Sequence, residues 1–367
     1  MTDANVREQE IPDSNEPHAK RQKKLNENGT HSNSSNSSSV AFEDVFHRLH
    51  RQVLSDLDIL PEINDSLKAE MRAYYDECLK YTVMGGKMTR GLTVVKGCQL
   101  LLSEDGKTLT EEQMLHASVL GWCVEWLQAF FLVADDVMDG SITRRGAPCW
   151  YRLPHVTQAN AVNDALMLEA VIYNILRQYF SDKPYYGRLL ELMHTCTYKT
   201  VVGQHLDTNA TQFGTGLDLS RFTQDRWRAI VTFKTAFYSF YLSCALAMTL
   251  SGETDPAIFS LVEQVCLPLG QYFQAQDDYL DCYGDPETIG KIGTDIRDGK
   301  CSWLVCEALV RGSDAQREVI AANYNKFDDE AEKRVKAVFK DLNLEAVYAD
   351  YEEDMKVKIV ERKRKKK

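Results

Sequence analysis

The chain has 367 residues, of which 44% are apolar and 26% are charged. This ordinary globular composition excludes a collagen, a disulfide-dense mini-domain and a wholly disordered chain. The net charge of −11 argues against a nucleic-acid binder, because such a protein needs a broad basic face. We therefore predict no nucleic-acid partner. Because the chain is negatively charged overall, an anionic substrate would need positive charges gathered at its binding site.

Residues 1–40 differ in composition from the rest of the chain. They contain KRQKK at 20–24 and HSNSSNSSS at 31–39, and they hold no periodic apolar face. Because such a segment cannot offset the entropy of ordering, we predict a disordered low-complexity tail over 1–40. Its acidic residues argue against a transit peptide. Since the cysteines form no CxxC pair, we predict reduced thiols and a cytoplasmic protein.

From residue 41 onward the pattern is helical almost without interruption, and the signals of strands are missing. Three helix starts are predicted, by a capping box at 110–113, by Thr223, and by Asp255 followed by Pro256. The corresponding helices are expected to end near Asp139, Leu250 and Cys282. The first two are apolar nearly all round, which is typical of helices at the centre of a bundle.

We therefore predict one all-α domain over 41–367, a single large helical bundle with a central active-site cavity. The most apolar run, 236–250, is shorter than the ~20 residues that a membrane span needs. No integral membrane contact is predicted.

Two acidic clusters, DDVMD at 135–139 and DDYLD at 277–281, follow strongly apolar helices. The first and last Asp of each cluster share one helix face. Gly140 and Gly284 follow at once or soon after, so both clusters lie in a last helical turn, where each extra anion costs roughly 0.3–1 kcal/mol. Such violations of local preference are expected at functional sites. Paired carboxylates with substrate phosphates suit Mg²⁺.

Basic residues complement these carboxylates. GGKMTR at 85–90 is a Gly-rich turn with two positive charges, and TRRG at 143–146 comes directly after the first acidic cluster. Together with Mg²⁺, they describe a site for a multiply charged phosphate ester. Because the sequence has neither a nucleotide-binding motif nor an obvious nucleophile set, we predict that a diphosphate leaves as an anion and creates a carbocation.

The chain closely resembles the trans-isoprenyl diphosphate synthases over roughly 42–367, most specifically the eukaryotic farnesyl diphosphate synthases. The motifs that carry the resemblance are GGKMTRG at 85–91, LQAFFLVADDVMDGSITRRG at 127–146, GQHLD at 203–207, KTAFYSFY at 234–241, FQAQDDYLD at 273–281 and GKIGTDIRDGKCSW at 290–303. The resemblance implies Mg²⁺-dependent head-to-tail condensation of isopentenyl diphosphate with dimethylallyl and then geranyl diphosphate, giving farnesyl diphosphate. It also implies a homodimer.

The resemblance further implies roles for individual residues. Three Mg²⁺ are held by Asp135, Asp139 and Asp277, with support from Asp136, Asp278 and Asp281 and with Gln204 and Asp207 as partners of the metal ligands. The allylic diphosphate is contacted by Arg144, Lys234 and Lys291, with Lys300, Gln274 and Thr235 beside it. Isopentenyl diphosphate is bound by Lys87, Arg90, Gln128, Arg145 and Arg362. The carbocation region is lined by Thr235, Tyr238 and Gln274.

Product length is predicted from two aromatic residues before the first acidic cluster. Phe131 is four residues before Asp135 and so lies on the same helix face, with Phe130 beside it. Ordinary core packing is the alternative interpretation, but the resemblance makes this pair the floor of a farnesyl-length pocket. The alternatives for function are a geranylgeranyl diphosphate synthase, a terpene cyclase and a catalytically inactive protein of the same fold.

Overall fold

The computed structural model describes residues 33–58, 60–103, 108–211, 217–285 and 293–364, with side chains between 42 and 361 except at 103 and 211. The protein divides into two compact units, Met1–Glu43 and the much larger Asp44–Lys367. The prediction of a disordered tail over 1–40 stays a prediction for residues 1–32, which lie outside the described residues. The backbone of residues 33–40 is helical, so the predicted boundary at 41 falls inside a helix.

Most of the described residues are helical, which confirms the predicted fold class. The first six helices described are α1 (Asn33–Asp58), α2 (Asp65–Val83), α3 (Thr89–Ser103), α4 (Glu111–Asp139), α5 (Gln158–Phe180) and α6 (Tyr186–Thr211). They are followed by α7 (Gln224–Ile230), a π-helical segment (Val231–Tyr241), α8 (Leu242–Leu250) and α9 (Pro256–Tyr283). The last are α10 (Asp295–Asp298), α11 (Trp303–Arg311), α12 (Asp314–Asn323), α13 (Asp329–Asp341) and α14 (Leu344–Arg364).

A small hairpin interrupts the helices directly after α4. Strands β1 (Thr143–Arg144) and β2 (Ala147–Pro148) pair antiparallel, with Arg144 opposite Ala147. The sequence carries no strand signal at this point, although the structure forms two short strands here. Two-residue strands are too short to show the alternation on which sequence-based recognition of a strand depends.

The predicted helix starts and stops are confirmed for the helices that carry the acidic clusters. At the start of α4, Thr110 and Gln113 form the reciprocal capping box, and Gly140 ends the helix with φ of 68°. At the start of α9, the Asp255 side chain accepts from the backbone N–H of Ala257, and Pro256 is the first helical residue. Both acidic clusters therefore lie in the last turns of long helices.

The core is built around α4, which packs against α3 and α5, while the π-helical segment packs against α6 and α9. Trp122 and Trp126 of α4 are fully buried and contact the ring of Phe46. Residues 111–139 and 224–250 are long and apolar enough to cross a membrane by length and composition alone. However, 72% and 56% of their most apolar windows are buried inside the protein, as expected for core helices.

Candidate active site

Three carboxylates converge at the end of α4. Asp135 and Asp139 come from its last turn and Asp207 from α6, and one oxygen of each lies within 4.8 Å of the others. Carboxylate oxygens at this spacing are ligands suited to a hard divalent cation such as Mg²⁺. The residue types and their convergence fit the metal that the sequence implies. The predicted role of Asp207 is that of a partner of the metal ligands. In the structure it is one of the three carboxylates that could hold the ion.

Two lysines connect these carboxylates. Lys234 Nζ lies 2.8 Å from Asp135 Oδ1 and 2.5 Å from Asp207 Oδ2. Lys300 Nζ pairs with Asp139 and lies 3.4 Å from Asp207 Oδ2. Burial alone would raise the pKa of Asp135, but Lys234, Lys300 and Arg144 lower it to about 2. The lysines and Asp135 therefore stay ionised together at neutral pH.

Asp136 of the first acidic cluster is buried and holds Arg144. Its buried carboxylate accepts from Arg144 Nε at 3.0 Å and from Arg144 Nη2 at 2.5 Å. The same Nη2 lies 3.5 Å from Asp135 Oδ2. Gln204 donates to Asp135 Oδ1 at 2.9 Å. The hairpin after α4 thus returns a guanidinium to the metal-binding end of the helix.

In the second acidic cluster, Asp278 is occupied by protein donors on both oxygens. Oδ2 accepts from the Trp303 backbone N–H at 2.7 Å and from Trp227 Nε1 at 2.9 Å, and Oδ1 accepts from Gln274 at 3.0 Å. Burial raises the pKa of Asp278 to about 7. Asp281 Oδ1 accepts from the Asp295 backbone N–H at 3.0 Å. Asp278 and Asp281 therefore anchor α9 to the segment that follows it.

The π-helical segment contacts the first cluster directly through Lys234 and the second cluster indirectly, through Thr235 and Gln274. Lys234 reaches Asp135, whereas the Thr235 hydroxyl donates to Gln274 Oε1 at 3.3 Å on α9, and Gln274 Nε2 lies 3.4 Å from Asp277 Oδ2. π-helical insertions occur frequently at functional sites. The sequence pattern predicts an ordinary helix here.

Close approach of neighbouring helices accompanies this irregular segment. A Cβ on Gly203 of α6 would lie 2.1 Å from the backbone N of Lys234, and one on Gly270 of α9 would lie 2.4 Å from the Cβ of Ala236. Glycine is therefore required where α6 and α9 pack on the π-helical segment. The glycine of the GQHLD motif was the sequence signal that could have indicated this contact.

A second group of predicted residues meets at the start of α3. Arg145 Nη1 donates to the Met84 carbonyl at 2.6 Å, and a Cβ on Gly86 would lie 3.1 Å from Arg145 Nη2. Arg90 donates to Ser239 Oγ at 2.9 Å and to the Tyr238 hydroxyl at 3.3 Å. Lys87 is exposed on the same Gly-rich turn. Arg90 and Arg145 are thus held by hydroxyl and carbonyl oxygens, whereas Lys234 and Lys300 are held by carboxylates of the acidic site.

Glu125 of α4 joins this group and was not predicted. It is 3% exposed, and its Oε1 accepts from the Gly91 backbone N–H at 2.8 Å. Gln128, in the amide orientation that satisfies both of its ends, donates to Glu125 Oε2 at 3.1 Å and accepts from Arg90 Nη1 at 2.7 Å. A single carboxylate within the otherwise apolar run HASVLGWCVEWLQAFF was the signal that could have found it.

Aromatic rings extend from this group toward the acidic end of α4. The rings of Phe130 and Phe131 are 4.7 Å apart, and Phe131 lies 5.4 Å from Tyr238. The predicted pocket floor is thus in contact with a residue of the predicted carbocation region. Two predicted site residues are not placed: Lys291 lies outside the described residues, and so does the side chain of Arg362.

Comparison with known proteins identifies the family. Residues 72–342 match the family described as Polyprenyl synthetase. The chain is 47% identical to farnesyl pyrophosphate synthase of Saccharomyces cerevisiae, with 83% of this chain and 89% of the yeast protein covered. It is 47% identical to farnesyl pyrophosphate synthase of Mus musculus, with 80% and 81% covered.

The solved structures include a farnesyl diphosphate synthase of T. brucei in complex with a bisphosphonate. It matches with a TM-score of 0.82 at 33% identity, covering 89% of this chain and 93% of that structure. These findings confirm the resemblance inferred from the ordered motifs, and they agree with the helical architecture and the doubled acidic site. The chain belongs to the polyprenyl synthetase family.

Proposed function

We propose that this protein is a prenyltransferase of isoprenoid biosynthesis that makes farnesyl diphosphate. It condenses isopentenyl diphosphate with dimethylallyl diphosphate and then with geranyl diphosphate. One observation carries the proposal: on the π-helical segment, Lys234 contacts Asp135 of the first acidic cluster, and the adjacent Thr235 reaches the second cluster through Gln274. The similarity to farnesyl pyrophosphate synthases of yeast and mouse over most of the chain supports it.

The acidic residues that would hold Mg²⁺ are Asp135, Asp139 and Asp277, with Asp207 close enough to share in ligation, and we propose three ions in the site. When bound, Mg²⁺ neutralises the diphosphate and makes it a better leaving group. Asp136, Asp278 and Asp281 have the supporting role, because Arg144, Trp303 and Asp295 already occupy their oxygens.

The cations beside these carboxylates bind the allylic diphosphate. Lys234, Lys300 and Arg144 each contact an acidic residue of the first cluster, which keeps their donors directed into the site. Lys291 is proposed to join them. The allylic C–O bond breaks, the double bond of isopentenyl diphosphate attacks the resulting cation, and loss of a proton forms the new double bond. Oxygens of Thr235, Tyr238 and Gln274 stabilise the positive charge.

Isopentenyl diphosphate binds at the start of α3. Arg145 lies against the Gly-rich turn, which carries the exposed Lys87 and ends at Arg90, and Gln128 is bonded to Arg90. Arg362 is proposed to close over this substrate. Separate cationic sites for the two diphosphates explain how a chain of net negative charge binds two anions at once.

Phe130 and Phe131 are proposed to limit the product to farnesyl length. We further propose a cytoplasmic homodimer. The free cysteines support a reducing compartment. Exposed apolar side chains on α5 and α6, among them Val162, Leu166 and Val201, support a self-association surface.

The decisive experiment incubates the purified chain with Mg²⁺, dimethylallyl diphosphate and labelled isopentenyl diphosphate, and sizes the products by chain length. Farnesyl diphosphate as the main product is expected. Mainly geranylgeranyl diphosphate would show that the length assignment is wrong. A parallel incubation with farnesyl diphosphate alone tests for a cyclase, because only a cyclase would release a hydrocarbon.

A further inference from the structure

Glu125 is a buried carboxylate that no step of the proposed reaction uses. It lies on α4, ten residues before Asp135, and is 3% exposed. We infer that Glu125 is a positioning residue for the isopentenyl diphosphate site, since it fixes the amide of Gln128 so that Gln128 holds Arg90. This inference rests on the proposed function, which assigns Arg90 to that substrate.

The contacts form a continuous chain of donors and acceptors. The Gly91 backbone N–H donates to Glu125 Oε1 at 2.8 Å, which satisfies an N–H in the first turn of α3 that has no partner within the helix. Gln128 donates to Glu125 Oε2 at 3.1 Å and accepts from Arg90 Nη1 at 2.7 Å. One carboxylate therefore holds both the backbone beside Arg90 and, through Gln128, its guanidinium.

The direction of these hydrogen bonds depends on a residue whose side chain can only accept hydrogen bonds. An ionised carboxylate has no donor, whereas an amide has a donor end and an acceptor end. Facing Glu125, Gln128 must present its NH₂ group to the carboxylate, and its oxygen then necessarily faces Arg90. A glutamine at position 125 would accept from Gly91 and turn its own NH₂ toward Gln128. Gln128 would then have to present its NH₂ group to Arg90, and because both groups are donors, no hydrogen bond could form between them.

The remaining contacts of Arg90 indicate why its orientation matters. A guanidinium has five N–H donors in a rigid plane. One on Nε goes to Ser239, one on Nη2 goes to Tyr238, and one on Nη1 goes to Gln128. Nη1 and Nη2 each carry a second N–H donor, and a guanidinium can bind a phosphate through two hydrogen bonds. Loss of the Gln128 acceptor would let this plane rotate.

The test is the isosteric variant Glu125→Gln, assayed with each substrate varied in turn. We expect the KM for isopentenyl diphosphate to rise about tenfold, the cost of losing one hydrogen bond to a charged group. The kcat and the KM for the allylic substrate should stay as in the wild type. Glu111→Gln, at an exposed glutamate in the first turn of the same helix, is the matched control and should change neither KM.

A double-mutant cycle separates positioning from a general structural effect. Because Glu125 acts through Arg90, Glu125→Gln should add no further loss in an Arg90→Ala background. Additive losses, equal increases of both KM values, or an unchanged KM for isopentenyl diphosphate would each overturn the inference. If Glu125→Gln does not fold, Glu125→Asp, which keeps the carboxylate but shortens the side chain that reaches Gln128, carries the same expectation. A wild type that makes no prenyl product would refute the proposed function instead, before any variant is compared.

Discussion

Asp135 has the largest number of cationic neighbours in the first acidic cluster. Lys234, Lys300 and Arg144 together overcome the effect of burial and lower its pKa to about 2. A carboxylate held ionised among cations cannot be replaced by a neutral group of the same shape without changing the charge of the whole cluster. The role of Asp135 is therefore electrostatic. Replacing it by asparagine, which has the same shape but no charge, tests this role most directly.

We predict that Asp135→Asn lowers kcat by at least about a hundredfold, because the first metal-binding group loses a ligand charge while its shape is kept. Asp277→Asn should have a comparable effect. Asp225→Asn, at a carboxylate that is 92% exposed, is the control and should be neutral. Steady-state assays with and without excess EDTA measure both effects. Undiminished turnover in EDTA would contradict the metal assignment.

His50 provides a prediction on stability. It is 5% exposed, and its Nε2 lies 3.1 Å from Asp76 Oδ1. Burial lowers the pKa of His50, and Lys80 contributes in the same direction, against an opposing effect of Asp76. As the pH falls below about 6.5, the unfolded chain binds a proton that the folded chain does not, so stability is lost on acidification.

We therefore expect the thermal midpoint of the wild type to fall more between pH 7.5 and pH 5.5 than that of His50→Gln, which cannot titrate at this position. The measurement is a series of melting curves for both proteins across that range. Parallel curves would mean that the buried imidazole makes no contribution to the acid sensitivity of the fold.

The contact between α6 and the π-helical segment sets the position of Lys234. Because a Cβ on Gly203 would lie 2.1 Å from a backbone nitrogen, Gly203→Ala must displace one of the two elements. We expect a destabilisation of about 1–3 kcal/mol, as for overpacking in a core, together with a loss of activity. Chemical denaturation and the condensation assay measure the two effects.

Gly187→Ala is the matched control, because it lies on the same helix and a Cβ there meets nothing within 4 Å. It should be neutral or slightly stabilising, by up to about 1 kcal/mol, since alanine favours a helix more than glycine does. Equal stability of the two variants would show that the contact at Gly203 can relax freely.

The aromatic residues on α4 lead to a prediction on product length. Phe131→Ala, alone or with Phe130→Ser, should open space beside Tyr238 and allow products beyond farnesyl length, because an emptied apolar cavity accepts apolar chain. Mg²⁺ dependence should persist. Product sizing by chromatography is the measurement, with Phe327→Ala, at an exposed ring, as the control. An unchanged product length in both variants would mean that these rings only fill the core.

For the whole molecule, local signals predicted much of the fold. The capping box at 110–113 and the Asp255–Pro256 start depend on neighbours within a few residues, and the structure confirms both. The same holds for the acidic clusters at the helix ends. The features that local sequence patterns do not predict depend on contacts between distant segments. The π-helical segment is packed by α6 and α9, and Glu125 acquires its role only where Gly91 and Gln128 meet it.

The ion pairs of Lys234 and Lys300 imply that metal and diphosphate bind synergistically. Both ammonium groups lie on carboxylate oxygens that a cation would use, so Mg²⁺ alone must displace them and leave like charges side by side. A diphosphate accepts the displaced lysines, and each ligand should therefore raise the affinity for the other by the same factor. Titration calorimetry with Mg²⁺ in the absence and presence of inorganic diphosphate measures this coupling. The resting enzyme would thus be protected from capturing either ion by itself.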